Sequence, residues 1–190
     1  MKGERERRPG SLPGFRSIIT MKNIYLVGFM GTGKTSVGRK VAQVKNCKFV
    51  DMDELIEDRE KRSVPDIFAL EGEPYFRKIE KRVLEEISGK DCQVVSCGGG
   101  IVIDAQNIKT MKNTGVVICL TASPEMILER TKRFSHRPLL NVPNPREKIE
   151  DLLKIRAPYY AQADFTVDTS NLTLDQVVER VFACGGQVPD

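Results

Sequence analysis

Gly28-Phe29-Met30-Gly31-Thr32-Gly33-Lys34-Thr35 is the stretch from which the rest of the chain can be read. It matches G-x-x-x-x-G-K-[ST], a loop that holds nucleotide phosphates, and chemistry accounts for each fixed position. Gly28, Gly31 and Gly33 let the backbone curl until its N–H groups converge on an anion. A helix opening near Lys34 adds the positive end of its dipole to the same point. The Lys34 ammonium reaches the β- and γ-phosphates, and the Thr35 hydroxyl is a ligand for Mg2+. With Thr32 and Ser36 beside them, these residues form the candidate ATP site. The apolar run Ile24-Tyr25-Leu26-Val27 precedes the loop, and Val37, Val41 and Val44 follow it along one side of a helix. Strand, glycine loop, helix is the context the motif requires.

Outward from the loop, strands and helices alternate. Residues 23–27 read as the first strand and 34–44 as the first helix. A short strand at 48–50 ends at Asp51, and a helix covers 53–61. Ser63-Val64-Pro65-Asp66 opens another helix, with Ser63 as cap and Pro65 in its first turn. Gly72 stops it and Pro74 opens the next, in which Phe76, Ile79, Val83, Leu84 and Ile87 recur at helical spacing until Gly89. Residues 93–96 are a strand, followed by Gly98-Gly99-Gly100. A helix at 105–113, a strand at 116–120 and a helix capped by Ser123-Pro124-Glu125 come next. Residues 132–145, broken by Pro138, Pro143 and Pro145, read as a loop. A helix from about 146 to 156 continues past Pro158; 165–168 is the last strand and 172–184 holds the last helix. Five strands separated by helices predict a three-layer α/β fold, a parallel sheet flanked by helices.

Composition sets the class. The chain has 190 residues, 40% apolar and 29% charged, which suits one domain of a water-soluble protein. No apolar run approaches the roughly 18 residues of a membrane span. The formal charge is +4, but residues 1–20 alone carry five basic and two acidic side chains. The remainder is close to neutral, which argues against a nucleic-acid-binding face. Residues 1–20, rich in Arg, Gly, Pro and Ser, read as a disordered extension without a secretory apolar segment, and 21–190 as the domain. Five cysteines, Cys47, Cys92, Cys97, Cys119 and Cys184, form no C-x-x-C pair. They read as reduced and mostly buried in a cytoplasmic protein, with Cys97 inert rather than reactive.

In a parallel sheet the ligand sits at the carboxyl ends of the strands. After the first strand comes the phosphate loop, after the second Asp51-Met52-Asp53, and after the third the triple glycine. After the fourth strand and its helix comes the loop with Arg133 and Arg137. Asp51 can hold Mg2+ through water, while Asp53 faces an acceptor hydroxyl as base or orienter. Alternatively, Asp53 caps the helix that follows. The triple glycine offers close backbone approach to a ligand. Arg137, in a proline-bounded loop, suits a closing lid. His136, the single histidine, reads as solvent-exposed. On residues alone, Arg77 and Arg156 are equally well solvated helix positions.

The segments G-F-M-G-T-G-K-T-S-V-G, F-V-D-M-D, D-I-F-A-L-E-G-E-P-Y-F-R-K-I-E, S-C-G-G-G, H-R-P-L-L and K-I-R-A-P-Y-Y, in that order, resemble the shikimate kinases. The resemblance spans residues 21–184 and implies a P-loop kinase fold that phosphorylates the 3-hydroxyl of shikimate with ATP and Mg2+. It implies that Asp53 bonds the shikimate hydroxyls and that Arg77 and Arg156 grip its carboxylate, with Glu80 steadying them. Gly98, Gly99 and Gly100 would contact the ring through the backbone, and Phe68 and Phe76 would wall the pocket. Arg137, on a lid at about 132–145, would close over the transferring phosphate, and Arg130 would lie against adenine. Mg2+ would rest on Thr35 and, through water, Asp51, aided by Ser96. Thr35 stands where serine is common, and residues 168–172 match no familiar adenine-side pattern. A monomer without nucleic-acid or membrane partners is expected. The other readings are a kinase for another polyol acid such as gluconate, a ligand sensor without turnover, and nucleic-acid binding by the basic extension.

Overall fold

The computed structural model of the chain describes residues 22–132 and 142–185. The expected extension, and the centre of the expected lid with Arg133, His136 and Arg137, lie outside the described residues. Five parallel strands form one sheet in the order β2-β3-β1-β4-β5: β1 (Asn23–Val27), β2 (Lys48–Asp51), β3 (Gln93–Ser96), β4 (Gly115–Thr121) and β5 (Phe165–Asp168). The connecting helices are α1 (Lys34–Lys45), α2 (Met52–Glu60), α3 (Val64–Ser88), α4 (Ala105–Thr114), α5 (Pro124–Thr131), α6 (Pro145–Tyr160) and α7 (Leu174–Gly185). Ser96 is in register with both Leu26 and Asp51, so β1, β2 and β3 finish level along one edge. Among the described residues no helix is long and apolar enough to cross a membrane.

Strand alternation divides the core between the two faces of the sheet. Ile24 and Leu26 pack with Val37 and Val41 of α1 and Val177 and Val181 of α7. Tyr25 and Val27 pack on the other side with Ile56, Leu84, Met111 and Ile149, drawn from α2, α3, α4 and α6. Each face is covered, which is why every residue of β1 is buried and its sequence shows no polar alternation.

Several expectations need correcting. Val44 is 59% exposed, and the buried stripe of α1 is Val37, Gly38, Val41 and Ala42. A side chain on Gly38 would run into the Phe49 ring, so α1 lies close to the sheet because that position is bare. By contrast, the expected break at Gly72 is present (φ 81, ψ 170): α3 consists of two helical segments that meet at a kink there, with Pro74 just beyond it. A 3-10 turn at Ile101–Ile103 follows the triple glycine where no element was expected.

The cysteine reading is overturned for one pair. Cys47 and Cys92 form a disulfide, with Cα atoms 5.1 Å apart. Lys48 is in register with Gln93, so the residues just before β2 and β3 must lie side by side. A separation of 45 residues concealed that adjacency in the sequence. Cys97 and Cys119 are free and buried. Burial pushes the Cys97 thiol well above its usual range and that of Cys119 up to about 11, so neither is poised as a nucleophile.

Candidate active site

The phosphate loop leaves β1 and turns into α1 against the carboxyl edge of the sheet. Gly28 has φ 134°, and a side chain there would strike the Leu120 carbonyl of β4, so the first glycine is required twice over. Gly33, at φ 97°, delivers the chain to the open N-terminus of α1, where no side chain caps the helix. The uncapped N–H groups are the ones an anion would accept from. Lys34 folds back over the loop, its Nζ donating to the Gly28 and Phe29 carbonyls at 2.9 Å each. Gly31, Thr32, Gly33, Lys34, Thr35 and Ser36 all line one open cavity of about 790 Å3.

Asp51 does two jobs at the end of β2. Its Oδ1 accepts from the backbone N–H groups of Asp53 and Glu54, which makes Asp51, not Asp53, the cap of α2. Its Oδ2 accepts from the Thr35 hydroxyl at 2.9 Å, and the Ser96 hydroxyl lies 3.4 Å from Thr35. Three hard oxygen donors from α1, β2 and β3 thus meet beside the phosphate loop. Relieved of capping, Asp53 lines the same cavity.

On the other flank of the cavity the side chains are held tightly. Arg77 donates to Glu80 at 2.6 Å and to Glu73 at 2.9 and 3.0 Å, and its guanidinium stands 5.3 Å over the Phe76 ring. It is therefore an anchored group rather than a solvated one. Glu80 is fully buried; its Oε1 is without a hydrogen-bond partner among the described residues. Loss of hydration pushes the Glu80 carboxyl up to about 7 against the pull of Arg77, with Asp53 and Glu73 adding to the rise.

The triple glycine is packed against this cluster. A side chain on Gly98 would come within 2.5 Å of Glu80 Oε1, and one on Gly100 would overlap the Arg77 guanidinium. The bare positions thus make room for the chain's own charged groups. Arg156, from α6, also reaches the triple glycine. Its guanidinium lies 5.6 Å over the Phe29 ring and donates at 3.4 Å to the Gly99 carbonyl, to which the Tyr160 hydroxyl also donates at 2.7 Å. Phe68 and Phe76 stack with centroids 4.7 Å apart, and both line the cavity.

At the nucleotide end, Arg130 donates to Thr169 Oγ1 at 2.9 Å, to the Thr169 carbonyl at 2.8 Å and to the Gly31 carbonyl at 3.3 Å. It ties the phosphate loop to the residue after β5, so its expected adenine contact would be made by a guanidinium already fixed at its edge. Thr169 and Leu172, from the segment 168–172 whose pattern was unfamiliar, line this end of the cavity together with Met126, Glu129 and Val177, which the sequence did not single out. The position of Thr169 follows the rule applied to the ends of the first four strands, since it comes directly after β5.

A phosphate loop on a parallel sheet, an oxygen-donor corner beside it and a charged acceptor pocket across one cavity define a P-loop phosphotransferase acting on a small molecule. The sequence model of the shikimate kinase family matches residues 30–184. A shikimate kinase of Thermodesulfovibrio yellowstonii is 48% identical over 162 residues, covering 85% of this chain and 94% of that protein. The shikimate kinase of Thermoanaerobacter pseudethanolicus is 47% identical over 162 residues, with coverage of 85% and 95%. Among solved structures, the shikimate kinase from Acinetobacter baumannii in complex with shikimate superposes with a TM-score of 0.83 at 39% identity, covering 90% of this chain and 97% of that one. The chain belongs to the shikimate kinase family, whose reaction is the ATP-dependent phosphorylation of shikimate.

Proposed function

We propose that this chain moves the γ-phosphate of ATP to the 3-hydroxyl of shikimate, mainly by positioning and charge stabilisation. The backbone of Gly31, Thr32 and Gly33, with Lys34 and Ser36, holds the phosphates, and Arg130 flanks the adenine. Asp53 aligns the attacking hydroxyl and accepts its proton. Arg77 and Arg156 take the carboxylate of shikimate, Glu80 and Glu73 hold Arg77, and Gly98, Gly99, Gly100, Phe68 and Phe76 shape the ring site. Arg137, outside the described residues, is assigned to the transferring phosphoryl group as part of a lid at about 132–145. Residues 21–190 act as one domain in a cytoplasmic monomer, with 1–20 as an extension of it.

Thr35, Asp51 and Ser96 are the residues that would hold Mg2+. Oxygen donors alone suit this ion, and among the described residues no group of three or more His, Cys, Asp or Glu gathers to grip a metal by itself. Mg2+ keeps waters and phosphate oxygens as most of its ligands, so a hydroxyl and a carboxylate are sufficient from the protein. When bound it neutralises charge on the phosphate oxygens.

The observation that best supports shikimate over a neutral acceptor is the approach of two guanidinium groups, from α3 and α6, to one glycine turn. Two such groups in one pocket call for an anion. The test is ADP release with ATP and either shikimate or an analogue whose carboxylate is replaced by hydroxymethyl. Fast turnover of shikimate and poor turnover of the analogue are expected. Equal rates would sink the carboxylate clamp. Calorimetric binding of shikimate without ADP release would make the chain a sensor rather than an enzyme, and faster turnover of gluconate would favour the other polyol acid.

A further inference from the structure

Tyr160 is the last residue of α6, one helical turn beyond Arg156, and only 7% exposed. Its hydroxyl and the Arg156 guanidinium address the same acceptor, the Gly99 carbonyl, but unequally. The tyrosine bond is 2.7 Å and the arginine bond 3.4 Å, beyond the usual range for a strong N–H···O contact. The short bond therefore belongs to a neutral side chain, while the charged one is left with a long, weak contact. Burial pushes the phenol up to about 12, with Arg156 pulling the other way, so the hydroxyl stays a donor throughout the range of any assay.

The arrangement matters because a guanidinium has a limited number of N–H directions, set in a rigid plane. If Gly99 drew its main hydrogen bond from Arg156, the plane would be turned toward the backbone and away from the cavity. We propose that Tyr160 is a positioning and specificity residue: by occupying the Gly99 carbonyl it keeps the Arg156 fork presented to the acceptor's carboxylate. The inference rests on the reading of Arg156 as half of the carboxylate clamp. It adds that the family of contacts around Gly99 sets how well that clamp distinguishes an acid from a neutral analogue.

Tyr160→Phe removes one oxygen and keeps the ring. The expected result is a rise in the KM for shikimate of about fivefold, the equivalent of one ordinary hydrogen bond, confirmed by calorimetric Kd. KM for ATP and the urea midpoint should stay put, and kcat should change by less than the KM does. The hydroxymethyl analogue should show no penalty, because it has no carboxylate for Arg156 to grip. In an Arg156→Lys background, Tyr160→Phe should add nothing to the KM for shikimate. A tyrosine that served structure alone would lower the urea midpoint and leave KM unmoved, which overturns the proposal. So does an equal penalty from Tyr160→Phe with and without Arg156. If Arg156→Lys by itself leaves KM unchanged, the clamp has failed and this inference falls with it. If Arg156→Lys raises KM while Tyr160→Phe does not, the clamp stands and the role of Tyr160 alone is refuted.

Discussion

Glu80 shows how much one side chain can be asked to do. It is fully buried, it holds Arg77 through one oxygen, and Asp53, Glu73 and Cys97 all face it or feel its charge. With a carboxyl pushed up to about 7 from an ordinary value of 4.5, the folded state holds a proton that the unfolded chain has already lost. The stability it contributes is therefore complete below about 4.5 and is lost as pH rises through about 7. Integrated over that window, the loss is of order 3 kcal/mol. Glu80→Gln cannot titrate, so urea midpoints measured from pH 4.5 to 8 should fall less steeply with pH in the variant than in the unaltered chain. Identical slopes would assign the titration to other groups. Lys34 gives a simpler case at the same scale, since its ammonium lies on the loop rather than in the core. Lys34→Ala should fold normally and lose at least about a hundredfold in kcat/KM, the scale of one charge-stabilising donor. A folded Lys34→Ala enzyme of near-normal activity would remove the nucleotide site from that loop.

Elements were legible where local signals are strong and invisible where distance in the chain intervenes. Ser63, Ser123 and Pro124 marked helix starts that the structure keeps, because a hydroxyl capping an N-terminus acts within three residues. The five strands were found at short apolar cores, from Phe49-Val50 in β2 to Val116–Leu120 in β4, that alternate with helical stretches. The 3-10 turn after Gly100 was missed because its Ile101-Val102-Ile103 carries no cap and no periodicity. Asp51 was read as a metal-side residue and Asp53 as the alternative cap, whereas Asp51 accepts both N–H groups of the helix start. An i, i+2 pair does not say which member turns toward the backbone. The Cys47–Cys92 link is the clearest case of a tertiary fact without a local sign, since only the pairing of β2 with β3 brings the two together. It closes a loop of 45 residues that includes α2 and α3. Cross-linking a loop of that length removes chain entropy from the unfolded state, by about 2–4 kcal/mol in effect. Reduction should lower the urea midpoint by a corresponding amount. Cys47→Ser should lower it equally, and reduction of that variant should then do nothing further. An unaltered chain insensitive to reductant would exclude a stabilising role for the link.

At the scale of the molecule, the proposed carboxylate clamp would be a product of topology. Arg77 follows the kink of α3 and Arg156 lies in the last turn but one of α6, and neither residue type nor local spacing separates them from solvated helix arginines. The sequence alone left them undecided; the resemblance named them; the fold brings both to the glycine turn after β3. The two are held differently. Arg77 is fixed by Glu73 and Glu80, while Arg156 rests over Phe29 with its long bond to Gly99. Lysine can replace neither, because a point charge on a flexible stem does not reproduce a planar fork. Each charged hydrogen bond is worth about 1.5–3 kcal/mol, or roughly 10- to 150-fold in affinity. Arg77→Lys and Arg156→Lys should therefore each raise the KM for shikimate by at least about tenfold and leave the KM for ATP nearly unchanged. The losses should differ in kind. Arg77→Lys also strips two hydrogen bonds from Glu73 and disturbs a buried Glu80, so its urea midpoint should fall and its pH dependence should shift. Arg156→Lys abandons no buried carboxylate, and its stability should stay close to that of the unaltered chain. Steady-state kinetics with both acceptors, paired with urea titrations of the two variants, separates binding from stability. If the two variants lost stability equally while keeping normal KM for shikimate, the arginines would be structural, and the anion would have to be met elsewhere in the cavity.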